Sequence, residues 1–381
     1  MLIHLFKNKA SVVQKKLIYS ALVVALLLVN TDSLAATEEV KVDLGGAVRL
    51  NYSWKDYGND SNGTFDFELF RVDVNIKQEK WFLDAQYRWY QGFESIHHAE
   101  VGHKFDKFNT IRVGVTQVPF GIEPYASHSF WFGGTYYLGL EDDYDTGIKW
   151  RHISGDWTLD TAYFFNSEYD SPGRWGRYSF DISSSYNETR SNKEDGQFNA
   201  RAQYQWGKHT LGTSLQIGKF RNTTSLDTGN HWAVGVHFDG HFEGDWNIQA
   251  QYIQYEYDAK ESLNTSDHRI ALSAFEFPFD IAAESKVTTF NVAKKFTIKN
   301  DLVDTVSCYN DSTYIDASNH SGLADSIQNV TGCSLAKGGL YTYIDWIAGK
   351  NMWFAGGPGV GIDEGPSKWH SRLNVNIGWY F

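Results

Sequence analysis

The ten residues from Arg372 to Phe381 alternate polar with apolar and end on an aromatic side chain. An extended chain turns successive side chains to opposite faces, so Leu373, Val375, Ile377, Trp379 and Phe381 share one wall and Arg372, Asn374, Asn376 and Tyr380 the other. One wall suits lipid and the other water. A strand of roughly ten residues is also the length of a tilted membrane crossing. Strands placed in lipid must close into a barrel, because hydrocarbon offers no partner to an open backbone edge.

The other end of the chain agrees. Lys7, Lys9, Lys15 and Lys16 precede an apolar run from Leu17 to Val29, followed by Ser33, Leu34 and Ala35. That is the charge, core and small-residue order of a secretory signal, with cleavage expected after Ala35. A single membrane anchor is the alternative, but the run falls short of the roughly twenty residues a spanning helix needs. Residues 1–35 are read as leader and 36–381 as one exported domain.

Composition narrows the class. The formal charge is −12, and loss of the leader, with its four lysines and Asp32, makes the chain more acidic. Nucleic acid is excluded as a partner, since neutralising phosphates requires a basic surface. Aromatic residues make up 16% of the chain against 6 prolines, a balance that favours long strands and supplies aromatic girdles. A soluble lectin-like β protein shares that composition. Cys308 and Cys333 are expected to pair in an oxidising compartment and to brace an outer loop. Without histidines nearby they make no zinc site, and no pattern calls for a cofactor.

Alternating segments are read at 42–54, 65–77, 81–91, 97–105, 110–118, 144–152, 157–165 and 197–206. They continue at 209–220, 230–241, 246–257, 286–296, 301–309, 339–349, 351–355 and 368–381, sixteen strands in all. The segment from His268 to Phe275 is a further candidate strand. Short links alternate with long stretches at 119–143, 166–196, 258–285 and 310–337. A soluble sandwich has no reason to gather its long loops at one end, whereas a bacterial barrel does so.

Strand phase assigns the charged residues, because a charge facing lipid costs several kcal/mol near the midplane. Val48, Leu50 and Tyr52 face out, which turns Arg49 in, and Phe70, Val72, Val74 and Ile76 turn Arg71, Asp73 and Lys77 in. The same argument brings Arg88, Arg112, Lys149, Arg151, Arg201 and Arg372 to the lumen. Such a basic wall lowers the barrier to phosphate or carboxylate. The competing reading is that the arginines pair with Asp43, Asp73, Asp84 and other inward acids in an ordinary polar interior.

The run from Phe67 to Val74, then Trp81, Leu83, Asp84, Gln86 and Tyr87, leads to Ala99, Glu100, Val101 and Gly102. Ile111, Arg112, Val113 and Gly114 follow, and then the run from Gln117 to Glu123. This order resembles the phosphate-selective porin O and P family. Asp145, Gly147, Ile148 and Trp150, with Gly155, Asp156 and Trp157, resemble its next hairpin, and the segment ending at Phe381 resembles the terminal strand of an outer-membrane barrel. The resemblance implies a sixteen-stranded, usually trimeric, water-filled channel whose loop after the fifth strand folds into the lumen. It also implies outer-membrane lipid and lipopolysaccharide around the wall, and assembly machinery that reads the strand ending in Phe381.

The implied constriction loop is 119–143, with Glu123, Trp131, Tyr136, Glu141, Asp142 and Asp143 as its site residues. Its prolines, Pro119 and Pro124, and its cluster of Phe130, Trp131, Phe132, Tyr136 and Tyr137 suit a packed insert, the alternative being an external loop against a neighbouring subunit. Folded inward, Glu141, Asp142 and Asp143 are expected to face the arginines across the constriction. The family's lysine-rich funnel has no residue-by-residue match here. The expectation is an outer-membrane channel of a Gram-negative bacterium for small hydrophilic solutes, with a preference for anions. A carbohydrate channel built on Trp131, Tyr136 and Tyr137 is the alternative, and a barrel enzyme a weaker one. His97, His98, Glu100 and His103 do not form a metal set, since His98 and Glu100 face away from His103, and no Ser, His and Asp spacing marks a nucleophile.

Overall fold

The computed structural model describes residues 39–58, 62–186, 190–258, 268–317, 320–355, 357, 359–363 and 368–381, so the expected leader lies outside the described residues. No helix among them is long and apolar enough to cross a membrane. The strands are β1 (Lys41–Lys55), β2 (Thr64–Gln78), β3 (Trp81–Tyr90), β4 (Glu94–Lys104), β5 (Asn109–Gln117), β6 (Tyr144–Ser154) and β7 (Trp157–Ser167). They continue as β8 (Asp181–Ile182), β9 (Asn192–Trp206), β10 (His209–Asn222), β11 (Thr228–Phe242), β12 (Trp246–Tyr257), β13 (Arg269–Ala274) and β14 (Phe277–Ala282). The last are β15 (Glu284–Thr297), β16 (Thr305–Ala317), β17 (Ser326–Lys337), β18 (Leu340–Lys350), β19 (Gly359–Val360) and β20 (Trp369–Tyr380).

All but four of these strands close into a sixteen-stranded barrel of antiparallel neighbours. The seam joins β1 to β20, with Ala47 opposite Tyr380 and Lys55 opposite Arg372. At the short-turn rim the Phe381 ring lies over Gly46, where a Cβ would come within 2.8 Å of a ring carbon. Alternation sorts the two faces as its period requires. Val48, Phe70, Val101, Val113 and Ile344 are exposed on the outside, whereas Asn199, Asn291, Asp311, Asn374 and Asn376 are buried within. Trp81, Phe108, Trp157, Trp206, Trp246 and Trp379 stand exposed at or beside the short links, a girdle at one rim.

The sixteen strands are not quite the sixteen expected. The segment placed at 351–355 is a short turn at Trp353–Ala355, the one at 301–309 runs instead over β16, and β17 lies inside what was read as the loop 310–337. Register explains the miss. Asn310 opposes Thr331 and Ser312 opposes Asn329, all outward, so the wall meant for lipid is polar there. These side chains satisfy one another instead, Asn310 Nδ2 to Thr331 Oγ1 at 2.7 Å and Asn329 Nδ2 to Ser312 Oγ at 2.7 Å. Their polarity breaks the alternation on which the strand map depended. The Cys308–Cys333 disulfide is likewise no loop brace. It joins directly opposed residues of β16 and β17, on the outward face beside that polar group.

The candidate strand at His268–Phe275 exists as β13, but outside the barrel. β19, β14, β13 and β8 form a separate four-stranded sheet. Its central hairpin turns at Phe275 and Glu276, both at positive φ, which gives the right-handed twist that antiparallel strands favour. Ile270, Leu272, Phe279 and Ile281 of this sheet pack with Tyr136, Leu138 and Leu140, with Phe180 and Ile182, and with Met352, Phe354 and Val360. Inward wall residues such as Phe220, Ile253, Val287, Ile315 and Val330 complete the cluster. The expected water column is therefore displaced on the long-loop side, where four connections bury their apolar faces against one another rather than against water.

Candidate functional site

The loop between β5 and β6 is tied to the inner wall along its length. Gly121 N–H donates to Ser214 Oγ at 3.0 Å and Ile122 N–H to Gln251 Oε1 at 3.0 Å. Asp311 accepts from Ser127 Oγ at 2.8 Å and from the backbone of His128 and Ser129. Asn291 donates to the Ala126 carbonyl at 2.8 Å, Gly134 N–H to Thr313 Oγ1 at 3.0 Å, and Gln328 to the Phe132 carbonyl at 2.8 Å. These partners belong to β10, β12, β15, β16 and β17, so the loop 119–143 folds into the lumen, as the resemblance implies, rather than standing outside.

The insert divides the basic residues into groups. Arg49, Arg71 and Arg88 line a cavity of about 530 Å³ together with Glu68 and Asp142. Arg49 pairs with Glu68 at 2.7 Å and Arg71 with Asp73 at 2.8 Å. Arg88 instead bonds Gln86 at 2.5 Å and Tyr90 Oη at 3.3 Å, and lies 4.3 Å from the Tyr178 ring centre. On the other side of the insert, Glu123, Arg151 and Arg201 line a cavity of about 300 Å³. There Arg151 meets Asp160 at 2.6 Å and Arg201 meets Glu123 at 3.2 Å, while Arg201 Nε also donates to the Gly121 carbonyl at 2.7 Å.

The remaining three basic groups line neither cavity. Arg112 pairs with Glu100 at 2.7 Å, Lys149 donates to the Gln117 carbonyl at 2.7 Å, and Arg372 stacks 4.0 Å from the Trp131 ring centre. Pairing with acids is thus common, as the polar-interior reading held; of the acids it named, Asp73 pairs with an arginine and the other two do not. Asp43 pairs with Lys41 and Asp84 with His98.

The three successive carboxylates that end the insert, Glu141, Asp142 and Asp143, do not face Arg49, Arg71 and Arg88 together. Only Asp142 does so, accepting from the Tyr178 hydroxyl and from Tyr144 at 3.1 Å. Burial raises its carboxyl above the ordinary range, opposed by the Tyr178 bond and the Arg88 charge. Glu141 turns to the opposite wall, where Gln251 and the Ala126 N–H, at 3.2 Å, donate to it. Burial lifts it to about 7 against those bonds. Asp143 turns away to other acids. A β-strand alternates faces, but this segment is an irregular loop, and its three successive side chains diverge for that reason.

Aromatic rings make most of the larger cavity. Tyr90, Tyr125, Phe130, Trp131, Phe132 and Tyr136 contribute, with Tyr178, Phe275, Phe277, Tyr343, Trp353 and Tyr380. The lining runs from Tyr380, beside the short-turn rim, to Trp353 in the segment after β18. Glu68 was missed as a site residue, although a parity slip betrays it. The outward residues change from Phe65 and Phe67 to Phe70 and Val72, and the ladder shifts register at Arg49/Leu50, which leaves Glu68 against Arg49. Tyr178 had no such signal, because it comes from the loop before β8. The His97 and His98 rings meet at 2.8 Å between Nδ1 atoms, while His103 faces out against Trp81.

No family model matches the chain, and no curated relative matches its sequence. Solved structures do resemble it. OmpT of Vibrio cholerae, an outer-membrane protein also described in a trimer form, is 13% identical over 92% of this chain and 100% of its own, with a TM-score of 0.57. The outer membrane channel DcaP of Acinetobacter baumannii is 12% identical over 91% of this chain and 100% of its own, at 0.59. An anion-selective porin from Comamonas acidovorans is 11% identical over 90% and 100%, at 0.53. At such identities these likenesses establish a shared fold, the sixteen-stranded barrel.

Proposed function

We propose that this chain is a porin of the outer membrane of a Gram-negative bacterium, a passive channel for small hydrophilic solutes that prefers anions. The observation that carries the reading is the cavity between the insert and the wall of β1 to β3, where Arg49, Arg71 and Arg88 stand against Glu68 and Asp142. Two of those guanidiniums pair with acids, the third acid, Asp142, is held by the hydroxyls of Tyr178 and Tyr144, and Arg88 has neutral hydrogen-bond partners among the described residues, so Arg88 is the guanidinium left to meet an anion. A guanidinium not held by an acid in a narrow, low-dielectric passage favours anions over cations. The neighbouring structures that are named as a channel and as an anion-selective porin support the same class. The resemblance to the phosphate-selective porin O and P family rests on its motifs between residues 65 and 165, and phosphate as the solute is part of the proposal only to that extent. A trimer is proposed from the trimer form of OmpT.

The test is reversal potential across a salt gradient in planar bilayers. Arg71→Glu is expected to shift selectivity toward cations, whereas Arg112→Glu, outside both cavities, is expected to leave it nearly unchanged. Equal shifts, or none in Arg71→Glu, contradict the assignment of the passage. The aromatic lining favours a second reading, a carbohydrate channel, because sugar rings stack on aromatic faces. Current block by maltodextrin, relieved in Trp131→Ala, selects that reading. Hydrolytic activity of the purified protein in detergent would point instead to a barrel enzyme.

A further inference from the structure

Asp143, Asp145 and Asp181 each bring a carboxylate oxygen within 4.8 Å of the others, and all three are buried. Asp143 ends the insert, Asp145 stands in β6, and Asp181 belongs to β8 of the small sheet. Glu168 and Glu194 are buried too. Arg177 is the cation paired with this group, 3.2 Å from Asp181 and 3.9 Å from Glu168.

Two hydroxyls point to what the acids surround. Thr116 lies directly opposite Asp145 in the β5 and β6 ladder, and Ser273 directly opposite Asp181 in the pairing of β13 with β8. Opposed residues share a face, with their Cβ atoms about 5 Å apart. Both side chains are fully buried, and neither Oγ has a hydrogen-bond partner among the described residues. Both carboxylate oxygens of Asp145 are equally without a partner. Oxygens of Asp145, Thr116 and Ser273 that have no hydrogen-bond partner among the described residues, beside the Asp143 and Asp181 carboxylates, are arranged as an ion's shell is, since ligands of one calcium at about 2.3–2.6 Å are separated by up to about 5 Å.

We propose that Asp143, Asp145 and Asp181 bind a divalent cation of the calcium class, with the Thr116 and Ser273 hydroxyls completing an all-oxygen shell. Oxygen donors alone select a hard cation over zinc or copper. Donors drawn from β5, β6, β8 and β13 suit the adaptable geometry of calcium better than the strict octahedron of magnesium. Bound there, the ion rivets the apolar sheet and the end of the insert to the barrel wall.

The experiment uses the full chain in detergent, stripped with EDTA, and titrates terbium luminescence competed by calcium alone. One saturable site per chain is expected. Asp145→Asn is expected to weaken binding by at least about tenfold, and Asp156→Asn, an exposed turn acid, to bind as the parent does. Absence of a saturable site in the parent, or equal affinity in Asp145→Asn, overturns the proposal. Should Asp145→Asn fail to fold, Thr116→Val takes its place, with weaker binding expected and unchanged binding overturning the proposal.

Discussion

Arg88 holds its guanidinium 4.3 Å from the centre of the Tyr178 ring, and Tyr178 in turn donates its hydroxyl to Asp142. Three separate pieces of chain meet in this relay: the wall at β3, the loop before β8, and the insert. Each group needs the other two. The buried carboxylate needs a donor, and the guanidinium, withdrawn from water, gains from the ring face.

Tyr178→Phe keeps the ring and deletes the donor. The Asp142 carboxylate then loses one of its two hydroxyl partners while still buried, a change that costs on the order of 1–3 kcal/mol. The measurement is the denaturant midpoint of unfolding in detergent. A midpoint equal to that of the parent contradicts the relay.

Arg201 is nearly enclosed and serves two acids and the Gly121 carbonyl at once. Arg201→Met leaves Asp160, fully buried, with Arg151 alone, and removes a tether of the insert. Breaking one side of a buried ion pair costs about 3–5 kcal/mol. A loss of that order is expected in equilibrium unfolding, with proteolysis near residue 121 as a second readout.

Protonation of the insert's anchors gives a pH dependence with a definite sign. Glu141 is held to about 7 by burial, against an ordinary 4.5, so folding favours its protonated form. Its destabilising contribution is absent below the unfolded value, grows as pH rises above 4.5 and levels off beyond about 7, reaching on the order of 3 kcal/mol. At His128, burial lowers the imidazole but the Asp311 hydrogen bond and charge outweigh it, leaving it raised. Its stabilisation is full below the unfolded value and is lost as pH rises through the folded one. Both anchors therefore loosen toward alkaline pH. Glu141→Gln is expected to flatten the fall in stability between pH 5 and about 7. A parallel fall in parent and variant contradicts the assignment.

The Cys308–Cys333 bond spans 25 residues of sequence between strands that are already paired. Its main effect is on the unfolded chain, worth about 3 kcal/mol in the chain-entropy model. The double replacement Cys308→Ser with Cys333→Ser is expected to lower the unfolding midpoint accordingly. Single-channel conductance should be unchanged, because neither residue lines a cavity. A change in conductance with no loss of stability contradicts this.

Much of the barrel was legible because a two-residue period is forced wherever one face meets lipid and the other water. Arg372 to Phe381 shows this most fully, and the inward phase of Arg49, Arg71 and Arg201 followed from it. Legibility failed where that force was absent. Asn329 and Thr331 face outward but satisfy neighbours on β16, so β17 read as loop. β13 and β14 bury their side chains in a sheet within the loops, where no lipid face imposes a pattern. The site suffered most from this. Phase said which arginines point in, but only the path of the insert decides that Arg49 and Arg88 share a cavity while Arg151 and Arg201 share another.

The proposed passage lies between the insert and the wall of β1 to β3, where Arg88 is held by neutral hydrogen-bond partners. Reconstitution of the purified chain into a planar bilayer under a potassium chloride gradient tests it most directly. Discrete conductance steps and a reversal potential displaced toward the chloride equilibrium are expected. Absence of conductance from folded protein, or a displacement toward potassium, contradicts it.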